Sequence, residues 1–354
     1  MSIRLLVVGA DGFDPRLGEY FCRKGYLPII DRLVSNGRMA SMASRLGEQD
    51  VPHTGPAWIS LYTGVTEREH GVTFGGWLDG HVSFESYADS AVFNSLIQEG
   101  YTVGSAFMPV TYPATVDTKN GSWMVSGFPS AKSDQQNHEP NDLINHLPAD
   151  YQSLQARSLL GSDNETIAPI QRWENAEKRK HEEILLSITN ERPVDVLFYG
   201  TQLCDVIAHR QQPVPPYIDA GVRRLLNKVN EYFDREIHPP RLGTLAWDSA
   251  MQRAYQAVDR TIGALVDQYE PDDVLVVSDH GFQLNGRDHA LLGTSIATSD
   301  VTRPEHLTEV RFAIEEYLDI DTSSEPFTVQ ESMLSDEEQS EIKGRLESLG
   351  YQEE

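Results

Sequence analysis

Three short stretches of this sequence set carboxylates and imidazoles at spacings that suit a divalent cation. They are Thr201-Gln-Leu-Cys-Asp205-Val-Ile-Ala-His209, Ser278-Asp279-His280-Gly281 and Arg287-Asp288-His289. Asp and His at i and i+4 fall on one helix face or its entry turn, close enough to hold one ion. Asp279 and His280 stand side by side in a sharp turn, and His289 arrives from the loop that follows. A further carboxylate, Asp11, precedes Gly12 in a turn that both residue types favour on backbone grounds alone. Thr54, in Val51-Pro-His-Thr-Gly-Pro-Ala-Trp, sits just before a helical pattern, where an N-cap hydroxyl is preferred. The same position has a chemical use, because free N–H groups at a helix N-terminus favour an anion or an oxyanion. Each piece alone has an ordinary reading as a turn, a cap or a satisfied histidine. Together, in chain order from Asp11 to His289, these pieces are hard to assign to accident.

The elements around these residues read as an α/β fold, a mainly parallel central sheet flanked by helices. Continuous apolar runs bounded by turn signals mark buried strands at Ile3–Gly9, Tyr101–Phe107, Val194–Tyr199 and Val274–Val277. Amphipathic stretches predict helices over Leu27–Gly37 (with Pro28 in the first turn), Ala91–Glu99, Ile170–Thr189 and Trp247–Gln268. The helix that opens near Thr54 closes at Thr63-Gly64. The stretch from Ser335 reads as an acidic, solvated surface helix. Three apolar strands end shortly before Asp11, Asp205 and Asp279, and ligands gather at the carboxyl ends of parallel strands. Carboxylates far apart in sequence should therefore meet at one sheet edge.

In this order the pieces resemble the alkaline phosphatase superfamily, in its type I phosphodiesterase/nucleotide pyrophosphatase branch. The resemblance rests on Asp11-Gly12; Thr54 with Pro56-Ala57-Trp58, Thr63-Gly64 and His70-Gly71; Asp205-x-x-x-His209; and Asp279-His280-Gly281 with His289. Thr111-Tyr112-Pro113 and Val125-Ser-Gly-Phe-Pro129 also look like segments of prokaryotic members. The resemblance implies one divalent cation on Asp11, Thr54, Asp279 and His280, and a second on Asp205, His209 and His289. Oxygen and imidazole nitrogen in that mix suit Zn²⁺ first, with Mn²⁺ as the alternative. It further implies that Thr54 attacks phosphorus and carries a covalent intermediate, in a hydrolase of phosphodiester or nucleotide pyrophosphate bonds. A phosphomonoesterase or a metal-dependent phosphomutase would share the same metal core, and a non-catalytic metal-stabilised binding protein is the reading from another class. A sulfatase fits less well, since its nucleophile is a modified Cys or Ser in a different local motif.

Many members of the branch carry Asn three residues after the nucleophile, where this chain has Ala57; backbone N–H groups after Thr54 are the natural substitute. His53 and Ser60 read as loop and packing residues, Cys204 as a small buried residue, and Trp58 and Trp77 as core. The resemblance implies a catalytic domain over 1–334 with cap or insert segments within about 73–192, and 335–354 reads as the acidic helix. Polar stretches at Ser130–Asp150 and Gln211–Pro216 read as loops at the mouth of the site.

Composition narrows the partners. The 354 residues carry 29 Lys and Arg against 54 Asp and Glu, a formal charge of −25. Such a coat of carboxylates excludes a nucleic-acid-binding surface and points to a small phosphorylated substrate met by a local cation. Only Cys22 and Cys204 are present, which excludes a disulfide framework and thiolate-rich metal sites. No apolar run is long enough for a membrane span, and Met1-Ser-Ile-Arg leads straight into a strand, so a cytoplasmic location is expected. The acidic excess is spread along the whole chain, as suits a salt-rich cytoplasm where ions screen self-repulsion within about 3 Å at 1 M salt. On that reading the denaturation midpoint rises between dilute buffer and molar KCl. A midpoint that stays level or falls would remove the halophilic reading.

Overall fold

The computed structural model describes residues 3–34, 39–44, 52–130, 136–151, 154, 168–210, 245–283, 288–298, 300–321, 329 and 334–349. Ten strands are present among them: β1 (Leu5–Ala10), β2 (Ala40–Ala43), β3 (Val103–Ala106), β4 (Trp123–Val125), β5 (His138–Glu139), β6 (Val196–Thr201), β7 (Asp273–Val277), β8 (Gly281–Phe282), β9 (His289–Ala290) and β10 (Leu292–Ala297). Eight build one sheet in the order β2-β10-β7-β1-β6-β3-β4-β5, and β8 and β9 form a separate pair. The central strands β7, β1, β6, β3 and β4 run parallel. Antiparallel pairing is confined to the margins, where β10 pairs β7 and β2, and β5 pairs β4.

Strand β1 shows why its run is apolar throughout. Leu6, Val8 and Ala10 enter one core layer, and Leu5 and Val7 the opposite one. With both faces covered, alternation disappears and every side chain is buried, each large one contributing roughly 1.5–3 kcal/mol. The first layer is closed by helices Pro15–Arg23, Leu203–Arg210 and Leu245–Tyr269 and by the helical stretch Ala168–Glu191. The second is closed by Thr54–Thr63, Val92–Gln98 and Glu309–Tyr317. Among the described residues no helix is long and apolar enough to cross a membrane.

Several boundaries differ from the sequence reading. The helix expected over Leu27–Gly37 is Pro28–Leu33, because Val34 leaves helical geometry at ψ 89°; 35–38 lie outside the described residues. Strand β6 runs two residues further than expected, to Thr201, which carries the chain deeper into the edge where Asp205 sits. The stretch read as an exposed-face helix contains a π-helical turn, Lys180–Leu185, and buries the ion pair Lys180–Glu177 at 2.8 Å. The acidic C-terminal helix, Asp336–Leu349, is not solvated all round: Ile342 and Leu346 are buried in the second core layer, and Lys343 meets Asp79 at 2.6 Å. The polar stretch read as a loop from Ser130 contains edge strand β5, whose His138 and Glu139 pair with Val125 and Met124. Residues 211–216 lie outside the described residues.

Candidate metal centre

The parallel strands β7, β1 and β6 end at one sheet edge, and the three aspartates follow them there. The ladder itself continues into the site: Asp11 N–H donates to Thr201 O at 2.9 Å, and Asp205 N–H to Asp11 O at 3.2 Å. Gly12, at φ +69°, lies against Asp205; a Cβ there would come within 2.7 Å of the Asp205 Cα, so only glycine lets the two segments approach. The Gly12 N–H reaches Asp279 Oδ1 at 3.4 Å, tying the third aspartate to the same turn.

Thr54 is the first helical residue of Thr54–Thr63, and the N-cap is His53, extended at φ −109° and ψ 142°. This corrects the N-cap expectation. The Thr54 hydroxyl instead lies 3.4 Å from His280 Nε2. Of the amides that follow it, Pro56 has no N–H and the Ala57 N–H donates to His53 O at 3.0 Å, which leaves that of Gly55. Gly64 ends the helix in the left-handed region, as expected from Thr63-Gly64.

Asp205 and His209 share one face of Leu203–Arg210, with His209 Nε2 3.2 Å from Asp205 Oδ1. His289 Nε2 lies 3.0 Å from His209 Nε2 and 3.9 Å from Asp205 Oδ1. His280 Nε2 faces all three carboxylates, at 3.4 Å from Asp279, 3.6 Å from Asp11 and 3.8 Å from Asp205. All seven residues singled out in the sequence therefore converge. Two groups have ligand atoms within 4.8 Å of one another, Asp205 with His209 and His289, and Asp11 with Asp205 and His280, so Asp205 stands at the junction.

Hydrogen bonding fixes the histidines. His289 Nδ1 lies 2.7 Å from Pro52 O and His280 Nδ1 3.1 Å from Gly281 O. A carbonyl only accepts, so both rings carry the proton on Nδ1, and in the neutral form Nε2 presents a lone pair. Burial, then the neighbouring His280 and His209, hold His289 well below the ordinary imidazole range, which keeps it neutral. The Nε2 atoms of both rings thus point at a pocket of carboxylate oxygens. Asp11 Oδ1 and Asp279 Oδ2 are buried with no hydrogen-bond partner. Burial, and then the charges of Asp279 and Asp205, push the Asp11 carboxyl well above its usual range, and burial also raises Asp279. Burial works against Asp205 too, but His209, with His280 and His289, outweighs it and holds that carboxyl low. Among the described residues every ion-pair partner of these three aspartates is a histidine. Buried carboxylate oxygens facing imidazole nitrogens form a site that a cation could occupy. The donor set, oxygen plus imidazole nitrogen, fits divalent metal.

Three contributors escaped the sequence reading. Gln202 donates from Nε2 to Asp11 Oδ2 at 3.4 Å, and Ser278 Oγ accepts from the Phe13 N–H at 2.9 Å. Buried Asp14 caps Pro15–Arg23, receiving the N–H groups of Arg16 and Leu17. Asp14-Pro15 is a readable helix-start signal, whereas nothing local marks Gln202. Of the discounted residues, Trp58, Trp77 and Cys204 are buried as expected. His53 stacks on Phe74 at 3.8 Å, and Ser60 Oγ lies 3.0 Å from His70 Nε2. Because the Val72 N–H donates to His70 Nδ1, Nε2 carries the proton of this neutral ring and cannot take one from Ser60.

The fold is similar to that of a sulfatase-type protein of Bacteroides thetaiotaomicron VPI-5482, with a TM-score of 0.51, 12% identity, and coverage of 93% of this chain and 74% of that one. It is also similar to the phosphonoacetate hydrolase of Sinorhizobium meliloti 1021, with a TM-score of 0.42, 16% identity, and coverage of 79% and 56%. No curated protein matches the chain. At these identities the structural likeness is one of fold alone. The family model for type I phosphodiesterase / nucleotide pyrophosphatase matches residues 5–313, and the chain belongs to that family of hydrolases.

Proposed function

We propose that this chain is a di-metal hydrolase of phosphodiester or nucleotide pyrophosphate bonds in a small substrate, acting through a covalent intermediate on Thr54. One observation supports it above the others: the Nε2 atoms of His280 and His289, with Nδ1 tied to backbone carbonyls, face the buried carboxylates of Asp11, Asp205 and Asp279 beside a threonine hydroxyl. Asp11, Thr54, Asp279 and His280 would hold one divalent cation, and Asp205, His209 and His289 the other, with Zn²⁺ or Mn²⁺ suited to both. Two such ions supply neutralisation of the phosphoryl charge and stabilise the alkoxide form of a hydroxyl. The chain's own part begins with Thr54 Oγ1, which bonds to phosphorus as the leaving-group oxygen departs on the opposite side. Water then cleaves the phosphothreonine ester and restores the hydroxyl. The buried helix start keeps Thr54 fixed for that attack, and the Gly55 N–H is the amide left to meet a nonbridging oxygen. An acidic surface and a substrate anion coexist on this reading because the attraction is local, and the surface itself suits a salt-rich cytoplasm.

Turnover of bis-p-nitrophenyl phosphate, p-nitrophenyl phosphate and p-nitrophenyl sulfate, each with added Zn²⁺ or Mn²⁺, tests the reading. The diester is expected to turn over fastest. A preference for the monoester would replace the diesterase with the phosphomonoesterase or phosphomutase reading. A preference for the sulfate, or no turnover of any, would overturn phosphoryl hydrolysis.

A further inference from the structure

We infer that Asp14, with Arg16, is a positioning residue that sets the three imidazoles of the metal centre by gripping Phe282 between them; this rests on the metal reading proposed above. Asp14 is fully buried and lies outside the seven-residue cluster. Its Oδ1 accepts the helix N–H groups of Arg16 at 2.8 Å and Leu17 at 3.2 Å. Its Oδ2 accepts the Phe282 N–H at 2.9 Å, across 268 residues of sequence. The Arg16 guanidinium bonds Asp14 Oδ2 at 2.6 Å and also donates to Phe282 O. Both backbone groups of Phe282 are thus held by one charged pair.

Phe282 is a hub for the imidazoles. Its ring is nearly perpendicular to those of His209, His280 and His289, with centroids at 5.4, 5.4 and 5.7 Å. Edge-to-face contact is the favourable aromatic geometry. Its backbone pairs with His289 across β8 and β9, and His280 lies two residues before it. The approach is tight: a Cβ on Gly281 would come within 2.6 Å of Asp14 Oδ2. The same segment is latched once more by Ser278 Oγ, which donates to His280 O at 2.8 Å while accepting the Phe13 N–H. A shift of Phe282 therefore moves imidazoles from both metal positions together, which a helix cap alone would not do.

Asp14→Asn separates the two roles. The amide oxygen still caps the helix, since Asn is as good an N-cap as Asp. The amide NH₂ then faces the Phe282 N–H, donor against donor, and the charge that draws Arg16 is gone. The readout is Zn²⁺ affinity of the purified metal-free chain, measured by competition with a chromophoric chelator. Affinity is expected to fall about 10–100-fold, as when outer partners of metal ligands are lost, in a variant that still unfolds cooperatively without metal. Arg16→Gln, at a partly exposed side chain, should shift affinity in the same direction if Asp14→Asn fails to fold. Parent-like Zn²⁺ affinity in either folded variant would overturn the positioning role and leave the metal reading intact. A parent chain that binds no Zn²⁺ would overturn the metal reading, and this inference with it.

Discussion

Thr54→Ala is expected to lower kcat for a phosphodiester by about 10⁴-fold or more while leaving the metal content of the chain unchanged. Removal of a nucleophile acting within an otherwise intact catalytic group costs in this range or above, and 10⁴-fold is about 5.5 kcal/mol of barrier. The fold should tolerate the change. Thr54 is helical rather than the N-cap, so the substitution removes no capping residue, and the lost γ-methyl costs about 1 kcal/mol at a buried site. The other six residues still hold the cations, so metal per chain by elemental analysis stays as in the parent. Thr54→Ser keeps an attacking oxygen without the methyl that fixes its rotamer, and should retain intermediate turnover. Mass spectrometry of acid-quenched parent protein during turnover should show the adduct on the Thr54 peptide. Parent-like kcat in Thr54→Ala would take Thr54 out of the chemistry.

The hydroxyl's place illustrates what the sequence does and does not reveal. Thr54 at a helix start was legible, but the start falls one residue earlier in register, so that His53 takes the extended cap geometry and the hydroxyl turns to His280. Cap and nucleophile readings use the same residue type, and only the distant partner distinguishes them. The convergence of Asp11, Asp205 and Asp279 was legible because buried parallel strands are unbroken apolar runs whose carboxyl ends share an edge. The tautomers of His280 and His289 were not, since the latter depends on Pro52 O, 237 residues away. Asp14 announces a helix locally, yet its grip on Phe282 exists only in three dimensions. Charge density misled in two helices: Lys180 and Glu177 are buried together, and the acidic C-terminal helix carries Ile342 and Leu346 into the core. Charge counts report a helix's surface only when the apolar stripe opposite is also read.

Stripping divalent cations with EDTA is expected to abolish turnover and lower the unfolding midpoint, with recovery on adding back Zn²⁺ or Mn²⁺. A ligand at 100-fold its Kd stabilises by about 2.7 kcal/mol per site, on the order of 5 °C for a domain of this size. The pH dependence has a sign that the site itself dictates. In the metal-free chain Asp11 and Asp279 titrate above the ordinary 3.8 and His209 above 6.5. Their contribution to metal-free stability is full below those ordinary values and is lost as pH rises through the raised ones. Asp205 and His289 are held low and act oppositely, losing their contribution only as pH falls through their depressed values. A cation needs every one of these groups deprotonated, so binding must expel the protons that Asp11, Asp279 and His209 retain. The gap between metal-loaded and metal-free midpoints should therefore widen as pH is raised from about 5 to about 8, with proton release on binding largest at the acid end. A gap that narrows over that range, or a midpoint indifferent to EDTA, would mean that no cation engages these carboxylates, and the lone pairs of His280 and His289 would then be facing the aspartates for some reason other than metal.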